Sequence, residues 1–174
     1  MEIGSRTIPI GHSRQVTLRP VTREDEPLLL ELYGSTRREE LALTNWDAAQ
    51  RQAFLRMQFD AQQTHYAAHY PEGEHMAILA DGEPVGRLYV ADTSGEIRIL
   101  DITILPQHRG AGIGTLVIEE LMREAETLGK PLTIYVESYN PSLRLFERLG
   151  FVKTGEQGYS FLMEHRASRS GEIP

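Results

Sequence analysis

Apolar and polar positions alternate over Gln15, Val16, Thr17, Leu18 and Arg19 until Pro20 closes the run, which is the period of a short strand. Thr22, with Asp25 three residues later, has the form of a capping box, and Leu28, Leu29, Leu32 and Tyr33 then fall on one helical face. A second helix is predicted from Asp47, cap-like with Gln50, where Ala53, Phe54, Met57 and Ala61 recur at three- and four-residue spacing until Pro71. Residues 76–80 read as a buried strand, Asp81-Gly82 as a hairpin turn and 85–91 as the returning strand. After the turn at Thr93, Ser94 and Gly95, residues 96–105 alternate through Ile97 and Ile99 and then become almost wholly apolar, as a strand entering a core does.

Beyond Pro106 a glycine-rich stretch leads into a helix with Val117, Leu121, Ala125 and Leu128 on one face, which Gly129 and Pro131 terminate. Residues 132–137 form a further strand. Asn140 as N-cap with Pro141 in the first position starts a short helix that Gly150 stops, and 151–154 with 159–164 read as a final hairpin around 155–158. Residues 1–14 mix Gly, Ser, Arg and Pro without a period, so they are expected to be flexible, and the tail 167–174 to fray.

Composition narrows the functional classes. A chain of 174 residues with 40% apolar and 25% charged residues has the makeup of a globular domain. The longest uninterrupted apolar run, 76–80, is far too short to span a bilayer, and 1–15 lacks the apolar core of a signal peptide, so a cytoplasmic chain without membrane association is expected. Cys is absent, which removes disulfides, thiolate metal sites and a cysteine acyl-enzyme. A net charge of −7 argues against a nucleic-acid partner. His65 and His69 have the spacing of paired metal ligands, but no third ligand follows, so no metal is expected.

The most informative chemistry lies at Gln107-His108-Arg109-Gly110-Ala111-Gly112-Ile113-Gly114-Thr115, where a strand runs through three glycines into a helix. Exposed N–H groups and the helix dipole then converge on an anion, so a phosphate-bearing ligand is the natural reading. Between Asp101 and Glu119 no carboxylate occurs, and His108 and Arg109 sit inside that window. The sequence contains no P-loop lysine pattern, and the glycine spacing is not that of a dinucleotide fold.

Arg109-x-x-Gly112-x-Gly114, followed by a helix, a strand, Asn140 and Leu149-Gly150-Phe151, resembles the GNAT superfamily of acyl-CoA-dependent N-acyltransferases. The resemblance extends over about residues 15–164. It implies one N-acetyltransferase domain over 15–166, of α/β (α+β) class, with a mixed, mainly antiparallel sheet of six or seven strands and helices on both faces. It implies acetyl-CoA as co-substrate, with the backbone of Ile102, Thr103 and Ile104 pairing with the pantetheine arm between two splayed strands. The N–H groups of Arg109, Gly110, Ala111, Gly112, Ile113, Gly114 and Thr115 would hold the pyrophosphate, Asn140 would touch the thioester end, and Leu143 and Phe146 would line the far wall.

The chain departs from the family at the proton carriers. Phe146 stands where many members have a Tyr, and Arg98 where some have a Glu or His. Asp101 and Glu137 are the candidate bases, and Tyr139, with Tyr135, the candidate acid. Asp101 has an alternative reading as half of a salt bridge to Arg98 or Arg144, because an unpaired buried carboxylate is costly. The expected activity is acetyl transfer to a small-molecule or peptide amine by direct attack in a ternary complex, by a monomer or homodimer. The alternative is a non-catalytic acyl-CoA-binding module that senses. Acceptor specificity is assigned to 37–71, where Trp46, Phe59, Tyr66 and Tyr70 either pack on the sheet or line an acceptor pocket. Glu39, Glu40, Asp47 and Asp60 either recognise a cation or form a solvated face.

Overall fold

The computed structural model describes residues 6–10 and 14–167, and divides the chain into two compact units, 1–89 with 101–114 and 90–100 with 115–174. In the first unit β1 (Arg6–Ile10) pairs antiparallel with β2 (Arg14–Pro20), and β2 pairs antiparallel with β3 (Glu74–Ala80). Helices α1 (Glu26–Ala42) and α2 (Ala48–His69) lie between β2 and β3 in the chain. Strands β4 (Glu83–Asp92) and β5 (Ile97–Ile104) are each divided between the units. The second unit adds α3 (Ile113–Leu128), β6 (Leu132–Glu137), α4 (Leu143–Arg148), β7 (Val152–Gln157) and β8 (Ser160–His165).

The strand order is β1-β2-β3-β4-β5-β6-β8-β7, and the sheet is mixed: β5 and β6 run parallel while β6–β8 and β7–β8 are antiparallel. This is the α/β class expected. The eighth strand is β1, inside the segment expected to be flexible; Pro9, which interrupts its short pattern, is tolerated because β1 is an edge strand. The rest of the expected flexible segment, 1–5 and 11–13, and the tail from 168 lie outside the described residues.

Local chemistry explains the element ends. Asp47 caps α2, its Oδ1 accepting from the Gln50 N–H at 2.8 Å while Gln50 Oε1 accepts from the Asp47 N–H at 2.9 Å. Asp81 and Gly82 have φ of 51° and 84°, the pair of positive values that a two-residue hairpin turn of the primed type requires. The second unit's hairpin is longer than expected, its turn shrinking to Gly158 and Tyr159 because β7 continues through Gly155.

Helix packing differs from the periodicity in two places. In α2 the expected stripe of Ala53, Met57 and Ala61 faces solvent, and Leu55, Phe59, Gln62 and Tyr66 turn inward instead. The inward face is partly polar because it meets buried polar groups, a requirement apolar periodicity does not report. In α3, Val117, Leu121 and Ala125 are buried as expected, joined by Ile118, whereas Leu128 is exposed.

Two features anchor the first unit. Asp25, almost fully buried, receives both Nη atoms of Arg19 at 2.8 Å and the Thr22 N–H at 2.8 Å. Gly86 on β4 meets β5 so closely that an added Cβ would lie 2.6 Å from the Thr103 carbonyl oxygen and 2.7 Å from Ile104 Cδ1. Beside it the Leu105 N–H donates to the Val85 carbonyl at 2.8 Å.

The Arg19 hydrogen bonds hold the Asp25 carboxyl at about 2, below its unfolded value, so its contribution is fully present above pH ~4 and is lost as pH falls toward 2. Asp25→Asn should therefore lower unfolding free energy by about 2 kcal/mol at neutral pH, with the deficit shrinking to near zero at about pH 2, measured by urea denaturation. Gly86→Ala should cost about 1–3 kcal/mol, read as a lower denaturation midpoint at unchanged slope, because backbone rather than a flexible side chain must give way.

Candidate functional site

The loop after β5 is a glycine turn that runs into a helix. Pro106–His108 makes one 3₁₀ turn, after which Gly110 and Gly112 adopt φ of 77° and 81°, a left-handed conformation that glycine adopts without strain. Nothing lies within 4 Å of where a Cβ would stand at Gly110, Gly112 or Gly114, so the approach to this backbone is open. The chain then enters α3 at Ile113, whose first N–H groups have no carbonyl one turn back. Arg109 ties the loop down within the first unit: its Nε donates to the Ile104 carbonyl at 2.8 Å and its Nη2 to Ser35 Oγ at 3.3 Å.

One turn of strand away from that loop, β5 carries a buried polar cluster that the sequence did not reveal as such. Arg87 on β4, 1% exposed, donates through Nε to Asp101 Oδ2 at 2.7 Å, and its Nη2 is bonded to the same oxygen and to Gln62 Oε1 at 2.6 Å. The Thr103 hydroxyl donates to Asp101 Oδ1 at 2.7 Å. Arg87 lies over the Phe59 ring at 5.9 Å, and Arg87 Nη1 and His75 Nε2 are buried without a hydrogen-bond partner. His75 stacks on Tyr89 at 4.6 Å, and Tyr66 meets Tyr89 edge-on at 5.1 Å. Burial, reinforced by the Arg87 charge, pushes the His75 imidazole down to about 4; burial, with Asp101 adding, pushes the Tyr66 phenol up to about 12. Asp101 is thus ion-paired, but to Arg87 rather than to Arg98 or Arg144. The available signal was an arginine and an aspartate each set in an otherwise apolar strand, an arrangement that burial tolerates only when the charges meet.

In the second unit the other predicted residues are arranged separately. Arg98 pairs with Glu96 at 2.6 Å and lies over the Tyr135 ring at 5.0 Å. Tyr139 is 72% exposed. Asn140 does not cap α4: its Oδ1 accepts from the Ser142 N–H at 2.9 Å, an Asx turn that precedes the helix, and α4 starts only at Leu143. The Asn140 Nδ2 approaches Glu137 Oε2 at 3.5 Å. Leu143 is half-buried, and Phe146 is buried edge-on against Phe151 at 5.2 Å.

The segment assigned to acceptor specificity is the second half of α1 together with α2. Phe59 and Tyr66 pack inward from α2, whereas Trp46 packs on Phe54 at 5.1 Å. Three of its four carboxylates are engaged locally: Asp47 in the cap, Glu40 with Arg37 at 3.1 Å and Asp60 with Arg56 at 3.3 Å. A groove of ≈ 460 Å³ runs along α1 and α2, lined by Glu26, Leu30, Glu31, Gly34, Gln52 and Leu55, and none of the residues named above as ligand-binding borders it. Among the described residues no cluster of three or more His, Asp or Glu is placed to hold a metal, and no helix is long and apolar enough to cross a membrane.

Comparison with solved structures finds the same fold at low sequence identity. The PaiA N-acetyltransferase of Thermoplasma acidophilum, solved with coenzyme A, matches with a TM-score of 0.65 at 17% identity, covering 87% of this chain and 99% of that one. An acetyltransferase of Thermus thermophilus matches at 0.62 and 22% identity, covering 87% and 97%. The ribosomal-protein-S18-alanine N-acetyltransferase of Escherichia coli matches at 0.58 and 18% identity, covering 90% and 97%. Sequence comparison with curated proteins finds no match. The acetyltransferase (GNAT) family model matches residues 39–151, a span that contains both the glycine loop and the buried Arg87–Asp101 pair, and the chain belongs to that family.

Proposed function

We propose that residues 15–166 form an N-acetyltransferase domain that moves the acetyl group of acetyl-CoA to an amine by direct attack in a ternary complex. The observation that carries this reading is the loop from Arg109 to Thr115, with two left-handed glycines and open backbone leading into a helix N-terminus, a shape suited to a pyrophosphate. The N–H groups of Arg109, Gly110, Ala111, Gly112, Ile113, Gly114 and Thr115 hold the pyrophosphate, and the Ile102, Thr103 and Ile104 backbone pairs with the pantetheine amides. Asn140, Leu143 and Phe146 complete the cofactor contacts. That one structural neighbour is solved with coenzyme A supports a CoA-type co-substrate.

In the reaction the amine lone pair attacks the acetyl carbonyl carbon. A C–N bond forms and the carbonyl pair moves to oxygen; its return breaks the C–S bond, and the sulfur leaves with the electrons. The proton lost by nitrogen ends on sulfur through water, so amine plus acetyl-CoA becomes amide plus CoA. No cysteine exists to carry the acetyl group, which favours the direct route over an acyl-enzyme. The acceptor is a small-molecule or peptide amine; a neighbour named for a ribosomal-protein alanine supports including peptide N-termini.

Calorimetric titration of acetyl-CoA into the wild type and Arg109→Glu tests the reading. The wild type should bind and, at ligand 100 times its Kd, gain about 2.7 kcal/mol of stability, while charge reversal weakens binding at least about tenfold. Absence of both heat and stabilisation in the wild type overturns it. Acetyl-CoA binding without amine-stimulated turnover across polyamines, amino acids and peptides would instead favour a sensing module, which the burial of Phe146 in place of a phenol makes a specific alternative. Glu137→Gln tests the candidate base whose Oε2 lies 3.5 Å from Asn140 Nδ2: loss of the acidic limb of the pH–rate profile supports that role, and unchanged turnover and profile remove it.

A further inference from the structure

We propose that the Arg87–Asp101 pair is an amine-docking site that selects the neutral form of the acceptor, with Arg87 as the positioning residue that makes a protein base unnecessary. The inference deepens the acyl-transfer reading and rests on it for the location of the thioester. If the pyrophosphate sits at 109–115 and the arm runs back along Ile104 to Ile102, the thioester end arrives beside Asp101.

The hydrogen-bond inventory of the carboxylate leaves one opening. An ionised carboxylate accepts through about four lone-pair positions. Arg87 Nε and Nη2 occupy Oδ2 and the Thr103 hydroxyl occupies one position on Oδ1, so a single place on Oδ1 remains. That opening lies on the accessible partner, since the Asp101 side chain is 18% exposed against 1% for Arg87.

Charge decides which form of an amine fits there. A bare carboxylate attracts an ammonium, but this one is matched at contact distance by a guanidinium that stays protonated, and a cation nearby disfavours a second cation. A neutral amine needs only an acceptor for one N–H, which the open position supplies, and only the neutral amine has the lone pair that attacks. The groups around the pair add no competing charge. Gln62 and Tyr66 face it from α2, His75 from β3, Tyr89 from β4 and Thr103 from β5, while Tyr33 and Tyr70 lie beyond Tyr66 and Asp25 is paired to Arg19. Around neutral pH His75 is uncharged and Tyr66 is a phenol, so the cluster holds one cation and one anion.

The test uses the full chain labelled with ¹³C at Asp carboxyls, the Asp101 signal being assigned by its loss in Asp101→Asn, and benzylamine as the probe. From about pH 7.5 to about pH 9, above the ordinary histidine range, the apparent Kd of benzylamine read at Asp101 should fall about tenfold per pH unit, as when only the neutral fraction binds. Benzyltrimethylammonium should leave the signal in place. In Arg87→Met the preference should reverse, with tighter binding at the lower pH; should that variant not fold, Asp101→Asn must bind acetyl-CoA yet show no thermal stabilisation by benzylamine. Wild-type affinity that is flat or weakens as pH rises, or an Asp101 signal unmoved by tens of millimolar benzylamine, overturns the proposal. Acetyl-CoA titrated into the same sample separates the two readings: an amine response without CoA binding removes acyl transfer and leaves the amine site standing.

Discussion

A guanidinium withdrawn from water is the demand around which the first unit is organised. Arg87 is buried in the middle of β4, and the cost of desolvating such an ion is several kcal/mol unless its hydrogens are met. Asp101 meets two of the nitrogens, Gln62 shares one of them, the guanidinium lies over the Phe59 ring, and Nη1 is left without a hydrogen-bond partner. This need accounts for the mixed face that α2 turns inward, Phe59 and Tyr66 flanking a glutamine, where an all-apolar stripe would strand the charge. It also gives Gly86 its place: without a side chain there, β4 backbone comes against Thr103 and Ile104, next to the residue that must reach Asp101.

A buried ion pair is a poor stabiliser in net terms, since the Coulomb attraction roughly repays desolvation, yet breaking one is expensive. The pair therefore contributes definition more than stability. It sets the carboxylate in one orientation with three of its acceptor positions filled, on the strand that leads directly into the glycine loop. The loop is anchored in turn by Arg109, whose guanidinium grips the end of β5 and α1. Two arginines thus do different work within one unit: Arg109 fixes the backbone of the glycine loop, and Arg87 fixes a carboxylate whose charge is already compensated.

The second unit uses its charges differently. Arg98 is committed to Glu96, Thr133 and the face of Tyr135. Phe146 completes an aromatic pair with Phe151 in place of presenting a hydroxyl. Lys130 reaches Asp92 at 2.6 Å and the Thr93 carbonyl at 2.8 Å, tying the end of the α3 segment to the turn before β5.

Much of this was legible in the chain itself, where the signal is local. Caps at Thr22 and Asp47, the Asp81-Gly82 turn, the order of strands and helices and the glycine loop all follow from residues within a few positions of one another, because capping, turn sterics and amphipathic period act over that range. The family signature is local for the same reason. Tertiary structure decided what depends on residues far apart in sequence: that Asp101 answers Arg87 fourteen positions away and not Arg98, that α2 turns Gln62 inward rather than Met57, that β1 forms on the edge beside β2, and that Asn140 turns the chain before α4 begins. A buried charge has no periodicity; its partner is set by which strands and helices are brought together, and only the folded chain specifies that.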